Sequence, residues 1–143
     1  MAETKSPAQT PAAAPPAASS SSALGGATYE IIRQLDGAAL FINGVADHVH
    51  ILASLPATAA PSEFVGKLKA NSSKWMHENF PEQRAFAWQL GYSAFSVSVS
   101  QKQGVLDYIA GQEEHHRKVS FQEELIWFLK KHEIEYDERH VFE

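Results

Sequence analysis

The chain has no cysteine, and this absence excludes disulfide bonds, thiolate metal sites and a cysteine nucleophile. It also has no apolar run near the roughly 18 residues that a membrane-spanning helix needs, so we expect a soluble, cytoplasmic protein. Basic residues are not in excess either, because the net charge is −5 and the pI is near 5.8. This balance argues against binding nucleic acid through many phosphate contacts.

The first 28 residues differ in composition from the rest of the chain. They contain four of the seven prolines, a run of serines at 19–22 and a Gly-Gly pair, without a periodic apolar pattern. We therefore predict a disordered low-complexity tail over residues 1–28 and one folded domain over residues 29–143. A chain of 143 residues with 44% hydrophobic content is large enough for one hydrophobic core.

The apolar spacing from residue 29 onward predicts helices and strands in alternation. In chain order these are a short helix at 29–35, strands at 39–42 and 48–55, a helix at 61–79, a strand at 92–98, and helices at 103–116 and from 121 onward. Asn43-Gly44 suits the positive φ angles of a connection between strands. Ser100 is expected to cap the helix that follows it, and Ser120 and Glu123 form a capping-box pattern for the last helix.

Two histidines stand two positions apart inside an apolar run, in the stretch DHVHIL at residues 47–52. Successive side chains of a strand alternate faces, so His48 and His50 project from one side while Asp47 turns to the other. Paired imidazoles of this kind bind a metal ion, or they are partly buried or surface histidines without a ligand. The spacing alone leaves both interpretations open.

A tyrosine and a glutamine lie one helical turn apart in the segment QGVLDYIAGQEEHH. Tyr108 and Gln112 share one helix face. An amide oxygen can serve beside two imidazoles as the third ligand of a hard cation such as Mg²⁺ or Mn²⁺. Near such a cation, a tyrosine hydroxyl can attack a phosphate in line and form a covalent phosphotyrosine. Taken singly, Tyr108 equally fits a core aromatic residue.

Two further groups of residues have both a binding interpretation and a solvent interpretation. Lys67, Lys69 and Lys74 form a local basic patch for DNA, or only the solvated outer face of their helix. The neighbouring His115 and His116 are metal ligands, or they end a solvated helix whose dipole favours cationic histidine.

Several stretches together resemble one protein family. They are NGVADHVHIL, SSKWM, FAWQLGYSAFSVS, YIAGQEEHHRKVSFQEE and YDERHVF, which follow one another in order over about residues 29–143. In this combination the sequence resembles the single-tyrosine HUH transposases of insertion-sequence-200-like elements, which include the related REP-associated tyrosine transposases.

The resemblance implies a ferredoxin-like α/β sandwich, an antiparallel sheet with helices packed on it, that works as a homodimer. It implies cleavage and rejoining of single-stranded DNA at imperfect-palindrome hairpins, with the protein associated with the nucleoid when bound to DNA. His48 and His50 match the metal-binding pair for Mg²⁺ or Mn²⁺, Gln112 the residue that completes the metal site, and Tyr108 the nucleophile. In that family the tyrosine helix can complete the partner subunit's site.

The sequence departs from the family pattern before Tyr29, where the low-complexity tail replaces the expected first strand. Because that strand is central in such a sheet, its loss would expose strand edges, and residues 1–28 or a partner would have to repair the sheet. Ser93 also stands where many family members have glycine.

Two other functions stay open at this point. In the first, the chain is a catalytically inactive transposase remnant that serves as a DNA-hairpin-binding or dimeric interaction module. In the second, it is a metal-dependent hydrolase that uses an activated water. The residues disfavour the hydrolase, because Asp47 is the one acidic neighbour of the histidine pair and points to the opposite face.

Overall fold

A four-stranded sheet forms the centre of the computed structural model of the chain, which describes residues 2–5, 18–45 and 48–142. The strands are β1 (Ala2–Lys5), β2 (Ala38–Val45), β3 (His48–Ser54) and β4 (Tyr92–Ala94). The helices are α1 (Ala18–Gln34), α2 (Pro61–Asn79), α3 (Lys102–Ala110), α4 (Gln112–His115) and α5 (Phe121–Lys131). Among these residues, no helix combines the length and apolar character that a bilayer crossing requires.

The sheet has the strand order β2-β3-β1-β4, and each neighbouring pair is antiparallel. The first six elements follow the chain order β1-α1-β2-β3-α2-β4. This βαββαβ succession with its central first strand is the ferredoxin-like arrangement. The predicted α/β class and ferredoxin-like sandwich are therefore confirmed.

The N-terminal region differs from the predicted tail in two places. Residues 2–5 form β1, which pairs with β3 on one side and with β4 on the other, so that Glu3 lies opposite His50 and Ser93. The central strand that the sequence pattern did not show is thus supplied by residues 2–5. Helix α1 begins at Ala18 rather than near Tyr29. Alanine and serine are compatible with a helix, and the burial of Ile31 and Ile32 near its C-terminal end stabilises it. Residues 6–17 lie outside the described residues.

One face of the sheet is covered by α1 and α2. Its core consists of five buried side chains from these helices and β3: Ile31, Ile32, Ile51, Phe64 and Leu68. The helix predicted at 61–79 is confirmed, and it buries Phe64, Val65, Leu68 and Met76. Because Val49 also packs against this core, the odd-numbered positions at the start of β3 face these two helices.

The opposite face of the sheet is covered by the C-terminal helices. A second core contains Phe95 and four residues of α5: Phe121, Leu125, Phe128 and Leu129. Phe121 packs on the ring of His48 and Phe128 on that of His50, with ring centroids 4.7 Å and 6.3 Å apart. The two histidines therefore share one face of β3, as predicted, and α5 shields that face from solvent.

Three predicted boundaries are wrong. Asn43 and Gly44 lie inside β2, opposite His50 and Val49, and the described glycines have no positive φ. Residues 46–47, which separate β2 from β3 in the sequence and include Asp47, lie outside the described residues. Strand β4 ends at Ala94, which lies opposite Ala2, rather than at Ser98. The helix predicted over 103–116 is divided at Gly111, a residue type of low helix propensity.

Candidate active site

The histidine pair of β3 lies at the base of the site. The side chains of His48 and His50 are almost fully buried, and their ring centroids are 5.0 Å apart. Burial is the main reason why the pKa of His50 lies below its ordinary value of 6.5. A neutral imidazole offers a ring-nitrogen lone pair, which is the form that binds metal ions.

Glu124 of α5 is the buried acid that faces both histidines. Its Oε1 lies 2.8 Å from His50 Nε2 and 3.3 Å from His48 Nε2. Burial alone raises the pKa of this carboxyl, but hydrogen bonds from His48, His50 and Tyr108 outweigh burial and hold the pKa well below its ordinary range. The carboxylate is therefore charged inside the protein, where it needs partners.

Tyr108 of α3 donates its hydroxyl hydrogen to the second carboxylate oxygen of Glu124. The same hydroxyl lies 3.2 Å from Nε2 of His115, and the tyrosine ring meets that of His50 edge to face at 5.8 Å between centroids. Asn43 holds this helix end, because its side-chain amide donates to the main-chain oxygen of Ile109 at 2.9 Å. A half-buried tyrosine in such a polar setting differs from an ordinary core aromatic residue.

Gln112 lies at the start of α4, one turn beyond the tyrosine, and is fully buried. Its amide nitrogen donates to the main-chain oxygen of Tyr108 at 3.3 Å, and its amide oxygen lies 2.9 Å from Nε2 of His116. The structure therefore brings Gln112 into the same site as the histidine pair and the tyrosine. The imidazole that its amide oxygen contacts belongs to a third histidine, His116.

The solvated-helix-end interpretation of His115 and His116 is wrong. The side chain of His116 is only 9% exposed, its ring centroid lies 4.3 Å from that of His48, and its Nε2 lies 3.1 Å from Glu124 Oε2. His115 Nε2 lies 3.0 Å from the same oxygen. Both rings therefore contact Glu124, although the side chain of His115 is 30% exposed.

A compact set of metal-binding side chains results from these contacts. Among the described residues, the ligand atoms of His48, His50, His116 and Glu124 all lie within 4.8 Å of one another. We name these four residues the His/Glu cluster. Imidazole nitrogens and a carboxylate oxygen are common ligands of divalent metal ions, so the donor set fits a divalent cation.

The three lysines of α2 do not form one solvated face. Lys67 and Lys74 are exposed, and Lys74 lies 3.9 Å from Glu78. Lys69 instead donates to the main-chain oxygens of Gln89 and Gly91 at 2.7 Å and 2.5 Å, and burial lowers its pKa. This lysine ties α2 to the segment before β4, so its amino group is already engaged.

Sequence reasoning missed Glu124, and its argument that no acid lies beside the histidine pair is wrong. A signal was present, because Glu124 falls on the apolar stripe of α5, three residues after Phe121 and four before Phe128. A carboxylate on the inner face of a helix needs partners in the core. That rule marks Glu124 as a candidate site residue, although it does not identify the partners.

Comparison with known proteins gives one family and one fold. The family model described as "Transposase IS200 like" matches residues 18–112. The chain is also similar to the crystal structure of a "putative transposase" from Deinococcus radiodurans R1, with 19% identity and a TM-score of 0.60 over 78% of this chain and 87% of that chain. No curated protein matches the chain significantly. At this identity the structural neighbour supports the fold, and the family match ends before His115, His116 and Glu124.

Proposed function

Because the chain belongs to the family of IS200-like transposases, we propose that it is a DNA transposase that cuts and rejoins single-stranded DNA at hairpin-marked ends. The observation that carries the proposal is the contact between Tyr108 and Glu124, whose other oxygen contacts His50. Through this contact a tyrosine hydroxyl, the nucleophile that the proposed reaction needs, lies beside a buried candidate metal site. Tyr108 is thus the proposed catalytic residue.

In the proposed reaction, the phenolic oxygen of Tyr108 attacks the phosphorus atom of a DNA phosphodiester. A bond forms between that oxygen and phosphorus, the bond from phosphorus to the 3′ oxygen breaks, and the DNA stays attached as a 5′-phosphotyrosine. The phenolic proton passes to a hydrogen-bonded acceptor, Glu124 or His115, and the departing 3′ oxygen takes up a proton. The number of phosphoester bonds is unchanged, so a 3′-hydroxyl can reverse the step without ATP.

His48 and His50 are the proposed ligands of a divalent cation, Mg²⁺ or Mn²⁺, at the centre of the site. When bound, such a cation polarises a non-bridging phosphate oxygen and stabilises the charge that develops there. Gln112 is proposed to complete this metal site, and its contacts with Tyr108 and His116 support a role there. These residues hold the reacting groups in a buried setting, where electrostatic interactions are stronger than in water.

The proposed partners are single-stranded DNA with imperfect-palindrome hairpins and a second copy of the chain, in the cytoplasm and without a membrane. Lys67 and Lys74 are exposed and stay candidates for phosphate contacts. The net charge of −5 fits recognition through hairpin shape and base contacts better than recognition through many phosphates. Binding should therefore weaken at high salt less than for a strongly basic protein.

The test is capture of labelled single-stranded DNA that carries candidate end hairpins, scored on a denaturing gel. We expect a covalent protein–DNA adduct that needs a divalent cation and disappears in EDTA. Tyr108→Phe should abolish the adduct while hairpin binding survives, because only the nucleophilic oxygen is lost. Tyr92→Phe is the matched control, since Tyr92 is exposed on β4 and its hydroxyl has no role in the proposed reaction.

Other outcomes of this experiment favour the alternative functions. Hairpin binding by folded protein without an adduct would identify a non-catalytic DNA-hairpin-binding module. Cleavage that persists in Tyr108→Phe would identify a metal-dependent hydrolase. The position of Glu124 beside the histidine pair supplies the acid that such a hydrolase needs, so the gel must score both cleaved DNA and the adduct.

A further inference from the structure

The ring of His116 is oriented so that one nitrogen is left to bind a ligand. Its Nδ1 lies 2.8 Å from the main-chain oxygen of Val119, and a carbonyl oxygen can only accept, so Nδ1 carries the hydrogen. In the neutral ring, Nε2 then presents its lone pair. A hydrogen bond from the far ring nitrogen to a carbonyl is the usual way in which proteins fix a metal-binding histidine.

Two side-chain oxygen atoms face the other ring nitrogen of His116, Nε2. Its Nε2 lies 2.9 Å from Gln112 Oε1 and 3.1 Å from Glu124 Oε2. The amide nitrogen of Gln112 donates to the main-chain oxygen of Tyr108, and this hydrogen bond determines which end of the amide group faces His116. The lone pair of a neutral His116 therefore faces two electron-rich oxygen atoms, and a cation bound by His116 and Glu124 removes this repulsion.

We infer that His116 and Glu124 bind the divalent cation together with His48 and His50, and that Gln112 is a positioning residue that orients His116. The His/Glu cluster then offers three imidazole nitrogens and one carboxylate oxygen. The inference deepens the proposed function and rests on it for the use of the metal, but metal binding itself is measured separately.

This donor set also determines which metals bind well. Mg²⁺ prefers oxygen ligands and gives up its water reluctantly, whereas imidazole suits the transition metals. Three nitrogens among four ligands therefore favour Mn²⁺, and more strongly Zn²⁺, over Mg²⁺. The inference accordingly narrows the Mg²⁺ or Mn²⁺ proposed above to a preference for transition metals.

The experiment is calorimetric titration of the metal-stripped full chain with MnCl₂, ZnCl₂ and MgCl₂. We expect one tight Zn²⁺ or Mn²⁺ ion per chain and Mg²⁺ binding that is at least about 100-fold weaker. Zn²⁺ should shift the ring NMR signals of three histidines rather than two. No binding of a transition metal, or equal binding of Mg²⁺, would overturn the inference.

Variants separate the ligands from the positioning residue. Glu124→Gln keeps the shape of the side chain but loses its charge, and should weaken Mn²⁺ binding more than about 100-fold, whereas Gln112→Ala should weaken it about tenfold. His116→Gln should behave like Glu124→Gln. Glu113→Gln is the control, because Glu113 is an exposed acid of the same segment, and its Mn²⁺ affinity should equal that of the unmodified chain.

The readouts distinguish this inference from the proposed function. Circular dichroism first establishes that each variant is folded. A folded Glu124→Gln variant with unchanged Mn²⁺ affinity would overturn the inference, whatever the adduct assay gives. Normal metal binding by the unmodified chain without any DNA adduct would leave the inference standing and overturn only the transposase chemistry.

Discussion

Glu124 connects the two halves of the site at the scale of single residues. One carboxylate oxygen faces the histidines of β3, and the other faces Tyr108 and the histidines at the end of α4. An ionised carboxylate is costly to bury, and the surrounding donors offset that cost. Removing the partners of such a charge is therefore expected to cost more than removing an exposed ion pair.

Gly44 has no side chain, and this allows the main chains of β2 and β3 to approach closely. A Cβ at this position would lie 2.4 Å from the main-chain oxygen of His48 and 2.9 Å from Val49 Cα. Backbone atoms cannot yield as a flexible side chain does, so Gly44→Ala should lower the free energy of unfolding by ~1–3 kcal/mol. Urea denaturation followed by circular dichroism measures this change.

Gly66→Ala is the matched control for that substitution. Gly66 lies in α2, and a Cβ there would have no neighbour within 4 Å. Alanine in an exposed helix position should raise the free energy of unfolding by up to ~1 kcal/mol. If both variants changed stability in the same direction, close packing at Gly44 would not be the cause.

The start of α5 is the element that places Glu124. Ser120 accepts from the main-chain nitrogen of Glu123, and the side chain of Glu123 accepts from the main-chain nitrogen of Ser120, which completes the predicted capping box. The cap fixes the first turn of the helix, and Glu124 belongs to that turn. Local capping therefore acts directly on the geometry of the site.

Ser120→Ala should lower the free energy of unfolding by ~1 kcal/mol, because the main-chain nitrogen of Glu123 loses its acceptor, the Ser120 hydroxyl. Amide hydrogen exchange should also become faster at the first residues of α5. Ser100→Ala is the control, because Ser100 was predicted to cap α3 but lies inside a 3₁₀ turn, Val99–Gln101, and makes no capping contact. Equal losses in both variants would contradict the role assigned to the cap.

The whole molecule depends on a four-residue strand that inserts between β3 and β4. Without β1, the strand that carries His48 and His50 would have an unpaired inner edge, and β4 would lose its partner in the sheet. Unpaired edges promote pairing with other chains. The strand of the histidine pair therefore depends on pairing with residues 2–5, at the start of the sequence.

Glu3→Pro tests this dependence, because proline cannot donate a ladder hydrogen bond and is excluded from central strands. We expect the free energy of unfolding to fall by ~1–3 kcal/mol, the cost of an unpaired buried group. Exchange of the amide hydrogens of β3 and β4 should increase.

Ala38→Pro is the control for the strand prediction. Ala38 is exposed and is the first residue of β2, an edge strand, where proline is tolerated. Its stability should change by less than ~1 kcal/mol. Unchanged exchange in β3 and β4 of the Glu3→Pro protein would show that β1 does not support them.

The sequence by itself determined the features that depend on short-range patterns. Alternation along a strand placed His48 and His50 on one face, helical spacing defined α2, and a four-residue signature capped α5. The motifs also identified the family, because their residues and their order can be seen in the sequence alone. Each of these features depends on residues within a few positions of one another, where propensity and periodicity act.

Only the tertiary structure decided which distant residues meet. His50 and Glu124 are 74 positions apart, and β1 belongs to a low-complexity region whose composition gives no local sign of a strand. Lys69 donates to main-chain oxygens, whereas the sequence left open a DNA-binding patch or a solvated helix face. Such contacts follow from how whole elements pack, because the burial of apolar faces fixes the position of each element and its polar side chains then take the partners available there.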